Sequence, residues 1–107
     1  MRIEDFNNKQ FDIFGTVFTI KLVDTLDEDD NNLHYGLTED NTKEIKISKE
    51  VMKAKQSDSE IYITLVHEII HAVLNTGQYL EESQKEPLIE WLSRCIILLL
   101  KQDILGK

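Results

Sequence analysis

The strongest constraint in this chain is the apolar run from Ile61 to Leu74, because it commits the fold to a helix that is buried on more than one side. Ile61, Ile63, Leu65, Val66, Ile69, Ile70, Val73 and Leu74 recur at helical spacing yet cover more than a single stripe. That is the pattern of a central helix packed on two faces. Ser57 and Glu60 have the spacing of a capping box, and Gly77 supplies a stop, so the helix is expected over residues 58–76.

A second helix is expected over residues 84–103. Ser83 and Glu86 repeat the capping-box spacing, and Leu88, Ile89, Leu92, Cys95, Ile96 and Leu99 follow at helical intervals. Trp91, among apolar neighbours, is expected in the core. Upstream, Val17, Thr19 and Lys21 alternate with Phe18, Ile20 and Leu22, so residues 11–24 read as one half-buried strand. Residues 24–32 are acidic and turn-forming, a solvated connection. Residues 33–37 and 44–48 then read as a hairpin joined through residues 38–42. The expected fold is α+β: a small antiparallel sheet of about three strands within residues 11–48, followed by two long helices. With 107 residues the chain fits one domain over residues 1–107, which buries roughly two thirds of its unfolded surface.

The charge balance narrows the partners. Twelve Lys and Arg against 20 Asp and Glu leave a formal net charge of −8, which argues against nucleic-acid binding by phosphate neutralisation. It leaves open imitation of nucleic acid by an acidic surface. The strongly apolar run Ile96 to Leu100 is far below the roughly 20 residues that span a bilayer, so no membrane partner is expected. Cys95 is the lone cysteine and has no CxxC spacing, consistent with a reducing compartment. Residues 1–6 lack the basic start and apolar stretch of a secretory signal. A cytoplasmic location is expected.

Within the central helix stands His67-Glu68-Ile69-Ile70-His71. Side chains four residues apart on a helix stand one above the other about 6 Å apart, so one metal ion can bridge the two imidazoles. Glu68 projects about 100° around the helix from His67 and can instead hold water beside the metal. Zinc lowers the pKa of such water to about 7, and an adjacent carboxylate can take its proton during attack on a carbonyl carbon. A histidine on an apolar helix is ordinarily a satisfied core residue. Here three polar side chains without partners would cost several kcal/mol to bury, and a metal removes that difficulty.

At these residues the chain resembles the HExxH zinc peptidases, and within them the gluzincins, in which a later helix supplies a glutamate as third ligand. It also looks like the minimal zincin-type proteins encoded by bacteriophages, which pair a short β-sheet with a motif helix and one further helix. The resemblance runs from residue 61 to about residue 99. It implies a zincin-like fold, Zn2+ as cofactor, hydrolysis of a peptide or protein substrate with Glu68 as general base, and, for a phage protein, the host cytoplasm as location.

Glu81, Glu82, Glu86 and Glu90 lie downstream as third-ligand candidates. His71 lies about five residues before the helix end, some 7 Å along its axis, so a facing ligand belongs a comparable distance into the second helix. With Ser83 as N-cap, Glu90 meets that condition and Glu86 falls short. Glu86 is also explained as the capping-box carboxylate, or as a group that orients a ligand from behind. The eighteen residues between His71 and Glu90 also match a gluzincin arrangement, as the resemblance implies. The expected ligands are His67, His71 and Glu90, with Glu86 the alternative and water in the fourth position.

Other signals are weaker. His34 reads as a surface or strand-edge residue. Asp27, Asp29 and Asn31 open like a calcium loop, but Asn32 and Thr38 stand where such a loop needs Gly and Glu. Tyr35, Tyr62 and Tyr79 remain open as donors to a transition state. A substrate peptide would add as a strand to a sheet edge, for which residues 44–48 are the candidate. The alternative to an enzyme is a zinc-stabilised binding module without activity, or an acidic regulator that imitates nucleic acid.

Overall fold

The computed structural model describes residues 3–26, 35–51 and 54–102. His34 and the residues of the discounted calcium loop, Asp27, Asp29 and Asn31, lie outside that set, as does the end expected for the second helix at residue 103.

Residues 10–23 fold as a hairpin instead of the single strand expected. Strands β1 (Gln10–Ile13) and β2 (Thr16–Val23) pair antiparallel with Ile13 opposite Thr16, leaving Phe14 and Gly15 as a two-residue turn. Both have positive φ, 47° and 95°, the pair of left-handed conformations that matches the twist of hairpin strands. Gly15 adopts its conformation without steric cost. Phe14 has to be held there, and the Gly15 N–H helps by donating to Asp12 Oδ1 at 2.6 Å. Phe-Gly is not the usual sequence signal for such a turn, so the alternation reads straight through it.

β3 (Gly36–Glu39) and β4 (Glu44–Ser48) form the expected hairpin. β4, however, inserts between β2 and β3 and pairs parallel with β2, Thr19 opposite Glu44 and Val23 opposite Ser48. The α+β class is as expected, but the sheet is mixed and four-stranded, in the order β1-β2-β4-β3. Alternation reports which face of a strand is buried and is silent about its neighbour. It follows that β4 is interior and cannot offer a sheet edge. β1 and β3 are the edges of this sheet, each with one paired side among the described residues, and β3 is the edge beside α1.

Phe18, Ile20, Ile45 and Ile47 line one face of the sheet, and Ile61, Leu65 and Ala72 of the central helix, with Ile3 from a short N-terminal turn, close over them. A small ladder, β5 (Glu50–Val51) with β6 (Ala54–Lys55), leads into that helix, α1 (Asp58–Thr76). Its start is as expected: Ser57 Oγ accepts from the Glu60 N–H and donates to Glu60 Oε1, both at 3.2 Å. It ends at Gly77, although the left-handed residue is the following Gln78, with φ 68°.

The second helix departs from expectation. Ser83 is the last residue of a one-turn helix, α2 (Leu80–Ser83), and α3 (Glu86–Lys101) begins with Lys85 as a cap that makes no side-chain hydrogen bond. Pro87 explains this start, since its missing N–H and fixed φ are accommodated only in a first turn. Glu86 therefore has no capping role. α3 buries Ile89 and Ser93, while Trp91, two residues from Ile89 and so on the opposite side, is 66% exposed and not part of the core. Among the described residues no helix is long and apolar enough to cross a membrane.

The edge strand comes very close to α1 at Gly36. A Cβ there would stand 2.7 Å from Thr64 Cγ2 and 2.9 Å from Glu68 Cγ. Gly36→Ala is expected to destabilise the protein by roughly 1–3 kcal/mol in urea denaturation, because backbone or motif helix must give way. A change below about 0.5 kcal/mol would show that the strand and α1 are less tightly apposed than this.

Candidate metal centre

Two faces of α1 carry the motif. Glu68 points toward β3, and His67 and His71 point toward α2 and α3. His67 Nε2 lies 2.9 Å from Glu86 Oε1, His71 Nε2 lies 3.3 Å from Glu86 Oε2, and the two Nε2 atoms are 3.3 Å apart. His67, His71 and Glu86 thus present one ligand atom each, all within 4.8 Å of one another. Two nitrogens bound to a tetrahedral zinc at about 2.0–2.1 Å would stand about 3.3 Å apart, so the donor set fits such an ion.

The outer nitrogens are also engaged. His67 Nδ1 is 3.2 Å from Glu90 Oε1, and His71 Nδ1 is 2.9 Å from the Ser83 hydroxyl. His67 thus faces a carboxylate at each ring nitrogen, and a cation among the inner atoms would leave its proton on Nδ1, donated to Glu90. Ser83 is placed to accept from His71 Nδ1 in the same way. Glu90 is held in turn by Arg94, whose Nε and Nη2 reach Glu90 Oε2 at 2.8 and 2.7 Å.

Glu90, the expected ligand, sits behind His67, and Glu86, the expected alternative or orienting group, faces the two inner nitrogens. The expectation counted α3 from Ser83. α2 uses residues 80–83 to turn the chain, so the first turn of α3 lies level with the histidines.

Glu68 is 8% exposed. Its Oε1 accepts from the Thr38 hydroxyl at 2.7 Å, and the same hydroxyl lies 3.0 Å from the Glu68 carbonyl oxygen. Burial pushes its carboxyl above the ordinary value of 4.5, against the opposing effects of the Thr38 hydrogen bond and the nearby histidines. His67, Glu68, His71 and Glu86 all line one cleft of about 490 Å³ between β3 and α3. Of the three tyrosines, Tyr35 lines this cleft, Tyr62 packs edge-on against Phe6 with ring centroids 6.0 Å apart, and Tyr79 is exposed beyond the end of α1.

Thr38, Ser83 and Gly36 were not legible as site residues, since a lone hydroxyl or glycine carries no spacing signal. Arg94 was missed as well, although its i+4 spacing from Glu90 is a signal that could have found it. The chain matches no family model, no curated protein and no solved structure.

A raised native pKa on an acid means that the neutral form is favoured by folding. Its contribution to stability is full below the ordinary value and is lost as pH rises through the raised one. In chelator, wild type is therefore expected to lose stability relative to Glu68→Gln over a pH range that rises from the ordinary carboxyl value of 4.5, as read by denaturation of both proteins. An unchanged difference across that range would mean that burial does not perturb Glu68.

Proposed function

We propose that this protein is a zinc-dependent metallopeptidase-like hydrolase of zincin type, with His67, His71 and Glu86 as metal ligands and Glu68 as general base. The observation that carries the reading is the convergence of the two imidazole Nε2 atoms and the Glu86 carboxylate. With Nδ1 of each histidine engaged from behind, three atoms able to give an electron pair face one point, where a cation would hold them together. When bound, the zinc supplies Lewis acidity toward a carbonyl oxygen and acidifies water.

The protein's own residues do the rest. Glu90 and Ser83 orient the imidazoles, and Arg94 steadies Glu90. Glu68, kept basic enough by burial to receive a proton, takes one from the attacking water and passes it to the departing amine. Thr38 fixes Glu68 Oε1 and leaves the other carboxylate oxygen for that transfer. Tyr35 is the tyrosine available to the carbonyl oxygen in the transition state. An extended peptide would lie along the outer edge of β3 by strand addition. The setting we assign is cytoplasmic, in keeping with the single, unpaired Cys95.

Purified protein is expected to hold about one zinc per chain by elemental analysis, and His67→Ala or His71→Ala to abolish it. Glu86→Gln should weaken zinc binding far more than Glu90→Gln. The latter removes only the orienting carboxylate and should cost about 10- to 100-fold, as should Ser83→Ala, with Ser83→Thr close to wild type. Zinc-free wild type would end this reading. A titration in which Glu90→Gln abolishes binding and Glu86→Gln spares it would restore the sequence-based ligand choice.

Glu68→Gln is expected to keep zinc and lose at least about 100-fold in cleavage of a peptide library, since general-base catalysis of this kind contributes 10²–10⁴-fold. Zinc retained with no cleavage by wild type would leave a metal-fastened binding module instead.

A further inference from the structure

α3 is apolar over more of its circumference than the rest of the molecule covers. Ile89 and Ser93 are buried, and Glu86 and Glu90 turn to the histidines. Away from both, Leu88, Trp91, Cys95 and Leu98 follow one another at steps of three, four and three residues, the spacing of a single helix face. Trp91 is 66% exposed, Leu98 56%, Leu88 38% and the adjoining Leu99 36%. No Asp or Glu falls on this face, in a chain whose net charge is −8. An aromatic residue among apolar ones, with charge excluded, is the composition of an interface core.

We infer that two copies of this chain pair through this face of α3 as a symmetric dimer. Steps of three, four and three read the same in either direction, so an antiparallel second α3, related by a two-fold axis through the middle of the stripe, lays the stripe on itself. Leu88 then stands opposite Leu98 of the second copy, and Trp91 opposite its Cys95. The largest side chain meets the smallest at the centre, as close packing across facing positions requires. The area is also sufficient. With about 200 Å² for each such side chain when fully exposed, the four exposed residues uncover on the order of 400 Å². At the roughly 65% apolar content of homodimer interfaces, that corresponds to about 1,200 Å² over both copies, which reaches the range of stable interfaces. Glu86 and Glu90 project from a different face of α3, so the two clefts stay outside the contact.

The test is sedimentation equilibrium of the full chain. Wild type is expected to dimerise with a Kd in the micromolar range or tighter. Trp91→Ala should weaken the dimer at least about tenfold, as loss of a central aromatic anchor does, and leave the helix content unchanged by circular dichroism, since Trp91 is exposed in the single chain. Phe14→Asn, which removes a fully exposed aromatic at the β1–β2 turn, should leave the Kd as it is. A wild type still monomeric at about 100 μM, far above such a Kd, hands the face to a different protein and overturns the inference. A dimer that Trp91→Ala and Phe14→Asn weaken equally, or that neither weakens, overturns it too.

The antiparallel register has its own check. Leu88→Glu alone should give a monomer, because it sets a carboxylate against a leucine. Adding Leu98→Lys to the same chain sets each new carboxylate opposite an ammonium of the second copy and should restore the dimer. Leu88→Lys with Leu98→Lys sets like charges together and should stay monomeric. Equal association of the two double variants overturns the pairing of residue 88 with residue 98, and with it the inference.

Discussion

The site depends on α1 being packed from two directions at once. The sheet holds the face carrying Ile61, Leu65, Glu68 and Ala72, while α2 and α3 approach the face carrying His67 and His71. Because one rigid helix presents both faces, the distance between the Glu68 carboxylate and the histidine nitrogens is set by helix geometry and not by loop conformation. Gly36 is part of the same constraint, since only a residue without a side chain lets β3 come close enough for Thr38 to reach Glu68.

Electrostatics gives each carboxylate of the cleft a different task through its surroundings. Glu68 is buried and made more basic by that burial. Glu90 is shared between His67 and Arg94. Glu86, more exposed than either, has no side-chain partner but the two imidazoles among the described residues. The same residue type thus serves as proposed base, orienting group and ligand, and the difference lies in what each touches. The two histidines are likewise unequal: a charged carboxylate stands behind one and a neutral hydroxyl behind the other.

Much of the fold was readable before any coordinates. The ends of α1 followed from Ser57, Glu60 and Gly77, and the β3–β4 hairpin from two short alternating runs separated by polar residues. The break at Phe14 and the parallel pairing of β2 with β4 were not readable. The first depends on an aromatic residue held at positive φ by a local hydrogen bond, and the second on neighbour choice, which a period-two pattern does not encode. Trp91 misled because an apolar residue among apolar neighbours is buried only if its angle on the helix faces the partner.

The sequence by itself determined that two histidines and a glutamate share one turn-and-a-bit of a buried helix, because i and i+4 spacing is a local property of the backbone. It also determined that a glutamate from a later helix was available to join them. Which glutamate would do so was decided only by the tertiary structure. Ser83, the last residue of α2, already lies beside His71, so the chain enters α3 level with the imidazoles and Glu86 in its first turn meets them. Register between helices is a long-range quantity, and no spacing within a single segment can report it.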